Sequence, residues 1–424
     1  MKVNLIYLPK PFLNEPNAQA PLGLLYLAAM LEEEGISVSL SNLAHCSTWG
    51  AITQIEEADL YGITVTSMEV PQANRFASLI KERFPNSKII IGGPGTVSAE
   101  CIDDSFIDSI CFGEAETTIV EIVRDAERGD LRPVYNCGLL CDLDSLPLPS
   151  RHLLGNNQGG KIFAFGKSYK GTASTVLLTS RGCPCKCSFC ASPTLWPKVR
   201  MRSADNVIEE AKHIVSMGIH QIRISDDMFL CNLPRAKAIC AGFKELGILW
   251  RISTRVKPFT PEIASMLFSS GCREVSFGIE SFDDEVLRVL QKGTTAKDNI
   301  QACIIAKDAG LTIRGLMMIR TPGQTECTVG RNILGIEATP MDIVACSTFV
   351  PLPGSEIWNN PSKFGIEILS RNLEDYNFYF FGKGGKENEL KSVIRPLYRT
   401  LAEFNKETLE FRDYLKSTGK VNKG

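Results

Sequence analysis

Four cysteines fall within eight residues of this 424-residue chain, in CPCKCSFC at positions 183–190. Thiols at that density serve disulfides, a zinc site or an iron–sulfur cluster. Cys183, Cys187 and Cys190 are spaced CxxxCxxC, with Cys185 between them. A structural zinc site wants four ligands, usually as two CxxC-type pairs a dozen or more residues apart. No second pair lies nearby, and His45, His152, His213 and His220 have no partner spacing. The chain has 15 cysteines, an odd number, and the other eleven are scattered through apolar segments such as IQACIIAKDAG. They read as buried small hydrophobes in a reducing compartment, not as a disulfide framework. An iron–sulfur cube takes thiolate ligands. Three well-spaced cysteines leave one iron without a protein ligand, open to a small molecule with an amine and a carboxylate.

The elements that must position this loop follow a β/α rhythm. KVNLIYL, ISVSLSNL, ADLYGITVT, KIIIGGPG and IDSICF read as strands, and PLGLLYLAAMLEEEG, QANRFASLIKERFP and the run after Glu114 as helices. Apolar strands alternating with helices imply a parallel sheet covered on both faces. Its ligands belong at the carboxyl ends of the strands, near residues 9–23, 64–68, 92–96 and 113–116. The expected domains are 1–135, a linker over 136–172, then 173–360 and a C-terminal region over 361–424. The alternation restarts at STVLLTSRG, the first of six strands with helices between them, too few for a closed eight-stranded barrel. Ser203 is placed to cap the helix SADNVIEEAKHIVSMG.

The cysteine loop, with Phe189 before its last cysteine and SRG ahead of it, resembles the radical S-adenosylmethionine enzymes. Separate motifs over residues 173–360 extend the likeness. SDDMF (225–229) follows the second strand, RISTRV brings Arg255 to the end of the third, and GIES (278–281) ends the fourth. TPGQT (321–325) and PLPG (351–354) follow the fifth and sixth. The resemblance implies a (β/α)6 partial barrel, with a [4Fe-4S] cluster on Cys183, Cys187 and Cys190. It implies S-adenosylmethionine beside Phe189, Ser225, Asp226, Asp227, Arg255 and Glu280. Each has a plainer reading: Asp226 and Asp227 as helix N-caps, Arg255 as a solvated strand end, Glu280 paired with a surface lysine. Cys185 departs from the pattern, as a spare thiol or as a ligand in a CxCxxC alternative.

Residues 21–116 resemble the cobalamin-binding domain often fused ahead of this barrel, a Rossmann-like, flavodoxin-like fold. Pro21, Leu22, Gly23, Thr66, Ser67, Met68, Gly92, Gly93, Gly113 and Glu114 are its expected cofactor-facing positions. Glycines at 92, 93 and 95 would let backbone approach a flat macrocycle, and Thr66 and Ser67 would bond a nucleotide tail. The DxHxxG motif of cobalamin mutases is absent: His45 in SNLAHCSTWG has no Asp two residues before it. That leaves the lower face of cobalt without a histidine. The alternative is a flavodoxin-like module without cofactor.

The fused class implies a cobalamin-dependent C-methyltransferase. It would use a 5′-deoxyadenosyl radical on an unactivated carbon, methylcobalamin as methyl donor, and flavodoxin or ferredoxin as reductant. Its substrate would be a small molecule or peptide, selected in part by the C-terminal region and the aromatic run YNFYFF (376–381). Non-methylating rearrangement, cyclisation or oxidation is one rival, and an iron–sulfur electron carrier or sensor another. Methylthiolation of transfer RNA fits poorly, because Cys46, Cys101 and Cys111 are scattered and the C-terminus is not basic. The net charge of −2 gives no reason to expect nucleic acid. No 18-residue apolar run and no signal peptide is visible, so a cytoplasmic protein without a membrane span is expected.

Overall fold

The computed structural model describes residues 1–10, 16, 19–155, 173–376 and 392–421. The chain divides into two compact units, Met1–Gly160 and Lys161–Gly424.

In the first unit the order is β1 (Lys2–Tyr7), α1 (Leu22–Glu33), β2 (Ser37–Asn42), a one-turn α2 (Thr48–Ala51), β3 (Leu60–Thr64), α3 (Val70–Arg83), β4 (Lys88–Gly92), β5 (Ser109–Phe112), α4 (Ile119–Arg128) and β6 (Val134–Asn136). All neighbouring strands pair in parallel, in the order β2-β1-β3-β4-β5-β6. The order reverses beside β1, and a crevice at the carboxyl ends there is where such sheets take ligands. One apolar face is covered by α1 and α4: Val3, Leu5, Leu60 and Ile90 pack with Leu24, Leu31, Ile122 and Val123. β6 was not anticipated. Its three residues VYN carry no period, and Asn136 falls where a linker was expected.

The second unit holds β7 (Ser174–Leu177), β8 (Ser180–Arg181), α5 (Ser192–Leu195), β9 (Arg200–Met201), α6 (Ala204–Ser216), β10 (Gln221–Ile224), α7 (Leu233–Glu245), β11 (Leu249–Thr254), α8 (Pro261–Ser269), β12 (Cys272–Glu280), α9 (Asp284–Val289), α10 (Ala296–Asp308), β13 (Thr312–Ile319), α11 (Thr328–Glu337) and β14 (Ile343–Thr348). α12 (Glu356–Asn359), the antiparallel pair β15 (Ile366–Ile368) and β16 (Ile394–Pro396), and α13 (Leu401–Thr418) follow. Six parallel strands run in sequential order, β7-β10-β11-β12-β13-β14, the partial barrel that the motifs imply. Ser203 caps α6 by accepting from the Asn206 amide at 3.2 Å. Apolar mass lies between strands and helices, where Phe229 and Phe243 meet Trp250 edge-on at 5.5 and 5.4 Å. Alternate strand residues turn the other way, and one layer of them is charged. Glu274 accepts from Arg251 at 2.8 Å and from Arg314 at 3.0 Å.

Gly271 lets α8 end and β12 begin. Its φ is +97°, and a Cβ there would lie 2.1 Å from the Ile248 carbonyl oxygen. Gly271→Ala adds left-handed strain to a clash with fixed backbone. The expected loss is roughly 2–4 kcal/mol, read as a lower urea midpoint with unchanged slope by tryptophan fluorescence.

Candidate active site

The cysteine loop leaves β8 at Gly182, whose φ of +90° and lack of Cβ fit it against the Lys198 carbonyl. Buried Ser188 anchors its middle. The Ser188 amide donates to the Leu290 carbonyl at 3.0 Å, its hydroxyl to Val289 at 3.2 Å, and its carbonyl accepts from the Ile357 amide at 3.0 Å. A turn closed by the Cys190 amide on the Cys187 carbonyl, at 3.1 Å, brings that CxxC together. Cys187 Sγ accepts from Arg255 Nη1 at 3.1 Å, and Cys190 Sγ from the Ser192 amide at 3.4 Å. The free thiols of Cys183 and Cys185 share a hydrogen bond. That bond holds the Cys185 thiol down to about 6, helped by the Arg255 and Lys292 charges. It raises Cys183, and burial raises Cys190. Among the described residues no three such side chains are gathered closely enough to hold a metal ion by themselves. The donor set is nonetheless all thiol, beside two cations that favour thiolate, which suits an iron–sulfur cluster.

Asp226 follows β10 and is 3% exposed. Its Oδ1 accepts from the Thr179 amide at 2.6 Å, and Oδ2 from the Thr179 and Ser180 hydroxyls at 2.5 and 2.6 Å. Burial raises its pKa against those hydrogen bonds. Asp227 accepts from the Ser192 hydroxyl at 2.7 Å, and the Ser225 amide continues the ladder to Leu177. Neither aspartate caps a helix: Asn232 caps α7, accepting from the Arg235 amide at 3.0 Å.

Glu280 ends β12 after a register shift between Gly278 and Glu280, with φ +60°. A non-glycine residue held there is strained, a state that clusters at functional sites. Its partner is a lysine, but a buried one. Lys292 is 5% exposed and meets Glu280 Oε1 at 2.7 Å. A Cβ on Gly278 would come within 2.7 Å of Lys292 Nζ, so that glycine makes room for the pair. Lys292 also faces the Phe189 ring, 5.9 Å from its centroid. Lys292 had no sequence signal, since a lysine in LQKG reads as a solvated turn. Arg255 likewise is no solvated strand end. Of the aromatic run, residues 377–381 lie outside the described residues. Tyr376 packs on Trp358 at 6.3 Å and donates its hydroxyl to the Ser370 carbonyl.

In the first unit, Pro21 and Leu22 open α1 and Gly23 is exposed in its first turn. Thr66 and Glu69 form a capping box ahead of α3, and Ser67 accepts from the Ser98 hydroxyl at 3.2 Å. Met68 lies in the same turn. Glu69 forms an ion pair with Lys10, just past β1, and both are buried. Neither was singled out from sequence. Two of the glycines also do a packing job inside the unit. A Cβ on Gly93 would meet Thr64 Oγ1 at 2.6 Å, and one on Gly95 the Thr66 carbonyl carbon at 2.5 Å. They seat the β4 loop on the β3 loop, while Gly92 has ordinary room. Gly113 is fitted against the Gly138 carbonyl, and Glu114 Oε2 accepts from the Leu140 amide at 2.7 Å. His45 sits in an exposed turn after β2.

Residues 177–332 match the radical SAM superfamily and residues 16–123 the B12 binding domain. An uncharacterized methyltransferase of Pyrococcus horikoshii is 31% identical over 80% of this chain and 77% of its own. The chain belongs to the cobalamin-dependent radical S-adenosylmethionine methyltransferases. The cofactors of this family are S-adenosylmethionine, a [4Fe-4S] cluster and cobalamin. The hopanoid C-3 methylase of Methylococcus capsulatus is 24% identical over 93% of this chain and 76% of its own. In fold, this family member is similar to the methyltransferase TsrM of Kitasatospora setae with cobalamin and [4Fe-4S] cluster bound. The TM-score is 0.64 at 18% identity, over 84% of this chain and 77% of that one. OxsB with aqua-cobalamin bound gives a TM-score of 0.65 at 19% identity, over 99% of this chain and 62% of that one.

Replacing Glu69 by Gln strands the Lys10 ammonium in the first unit. The expected cost is about 3–5 kcal/mol, seen as faster hydrogen exchange of β1 and β3 amides. A Lys10→Met/Glu69→Leu double variant is expected to recover most of it.

Proposed function

We propose that this enzyme is a C-methyltransferase acting on an unactivated carbon of a small molecule or peptide. The observation that carries the reading is the thiol loop flanked by Arg255 and Lys292 at the carboxyl ends of the barrel strands. Cys183, Cys187 and Cys190 would hold the cluster, and Cys185 would remain a non-ligand thiol. When bound, the cofactors supply one-electron cleavage of S-adenosylmethionine to a 5′-deoxyadenosyl radical, and a methyl group from cobalamin.

The chain's own residues bind and orient. Arg255 and Lys292 bring positive charge to the thiolates, and Arg255 is placed to turn toward a carboxylate. Phe189 offers an apolar face beside them. Glu280, strained at the strand end, can accept from a ribose hydroxyl. Asp226 acts indirectly, by fixing the strand from which the loop departs, and Asp227 through Ser192. Thr66, Ser67 and the Gly92–Gly93 turn would receive cobalamin at the carboxyl edge of the first sheet. Residues 361–424 would select the substrate, and an external one-electron donor such as a flavodoxin or ferredoxin would serve as reductant. Among the described residues no helix is long and apolar enough to cross a membrane. The methylating names of the relatives in Pyrococcus horikoshii and Methylococcus capsulatus favour methyl transfer over rearrangement.

Two measurements test this. Cys187→Ala is expected to abolish 5′-deoxyadenosine formation by the reconstituted enzyme, while Cys185→Ala retains most of it. Equal loss in both would place Cys185 among the ligands. The product is expected to be heavier than substrate by one methyl group, and labelled methionine carbon should appear in it. A product of unchanged carbon count overturns the C-methyltransferase reading.

A further inference from the structure

Two thiols away from the cysteine loop face each other at the carboxyl edge of the first sheet. Cys111 is the third residue of β5, and Cys137 immediately follows β6. The strands run parallel with Cys111 opposite Tyr135 and Phe112 opposite Asn136. The Cys137 amide donates to the Phe112 carbonyl at 2.9 Å, extending that ladder by one bond. The two Sγ atoms lie 3.0 Å apart. A disulfide needs about 2.05 Å, so closure asks for roughly an ångström of side-chain movement between strands already in register. Cys111 is buried and Cys137 half-buried, giving one sheltered and one approachable sulfur.

We propose that Cys111 and Cys137 are a redox couple, a dithiol that closes to an intrachain disulfide by exchange with a small-molecule disulfide. The bond would fasten the end of β6 to β5 beneath the Gly113–Glu114 loop. Cys137 attacks first, as its thiolate. Its sulfur bonds to one sulfur of the reagent, the reagent's S–S bond breaks, and one thiolate leaves. Cys111 then attacks the Cys137 sulfur, its proton passing to the second departing thiolate. Two protein thiols are oxidised and one reagent disulfide is reduced to two thiols. The hydrogen bond between the pair supports this order, lowering Cys137 to about 7 and raising Cys111.

The position gives the couple something to govern. The Glu114 amide donates to the Gly138 carbonyl at 3.0 Å, and the Glu114 carboxylate accepts from the Leu140 amide at 2.7 Å. Residues 138–140, directly after Cys137, therefore hold the loop that follows Cys111. In the dithiol form these segments are joined by hydrogen bonds and backbone packing; the disulfide form would add a covalent link.

The full-length reconstituted protein is equilibrated without oxygen in glutathione buffers of graded thiol-to-disulfide ratio, then acid-quenched. It is denatured and alkylated with one reagent, reduced, alkylated with a second, and digested for mass spectrometry. The expected result is that Cys111 and Cys137 exchange first label for second together. They should do so at a disulfide fraction at least ten-fold below that needed by Cys46 or Cys101 of the same unit. In Cys111→Ser, Cys137 is expected to be trapped as a mixed disulfide with glutathione. The proposal is overturned if Cys111 keeps its first label while Cys137 converts alone, or if both convert no earlier than Cys46 and Cys101. The wild-type titration decides this even if the serine variant fails to fold.

Discussion

The buried carboxylate of Asp226 is the interaction on which the cysteine loop depends. Three short hydrogen bonds converge on it from Thr179, between β7 and β8, and from Ser180, the first residue of β8. A hydrogen bond to a charged group contributes about 1.5–3 kcal/mol, and here the three offset part of the cost of burying the acid, whose pKa burial still raises. The bonds pin the chain just before Gly182, and Ser188 pins it again against the end of α9. The thiols are thus presented from a stretch with no regular structure of its own but fixed at both ends. Another carboxylate, Glu280, is fixed differently, by an ion pair and a strained backbone.

The two units solve a similar problem with different materials. In the first, glycines seat most of the loops at the carboxyl edge, beside one buried ion pair, Lys10–Glu69. Gly93 and Gly95 seat one loop on another, and Gly113 seats a third on Gly138. In the second, loops meet through charge: Arg255 on Cys187, Lys292 on Glu280, Asp227 through Ser192. Where backbone seats on backbone, almost any side chain would intrude. Where side chains do the joining, each position is set by a partner's charge.

Much of this was legible in the sequence, for identifiable reasons. Strands and helices of both units follow from apolar periods bounded by glycine and proline, and the order of motifs along residues 177–332 matches the order of barrel strands. β6 escaped because three residues carry no period. Lys292 and Lys10 escaped because a lysine in a turn looks solvated until its buried carboxylate is known, and Glu280 and Glu69 lie 12 and 59 residues away in the chain. The packing of the glycines at 93 and 95 escaped for a related reason. Sequence shows that a side chain is missing, not which neighbour takes the space. The aspartates at 226 and 227 look like caps, but Asn232, five residues further on, has the geometry that a cap needs.

The irregularity in β12 bears on how this region can vary. Gly278 pairs with Leu316 and Glu280 with Met317, so Ile279 is an extra residue set against one fewer on β13. The residues from Glu274 to Gly278 are phased by the ladder on one side of that step, and Glu280 by the ladder on the other. Losing or gaining one residue in this stretch would turn the acid away from its lysine and drive an apolar neighbour toward the thiols. Lineages descending from such a chain are therefore held to the length of this segment, as they are to a glycine at 278.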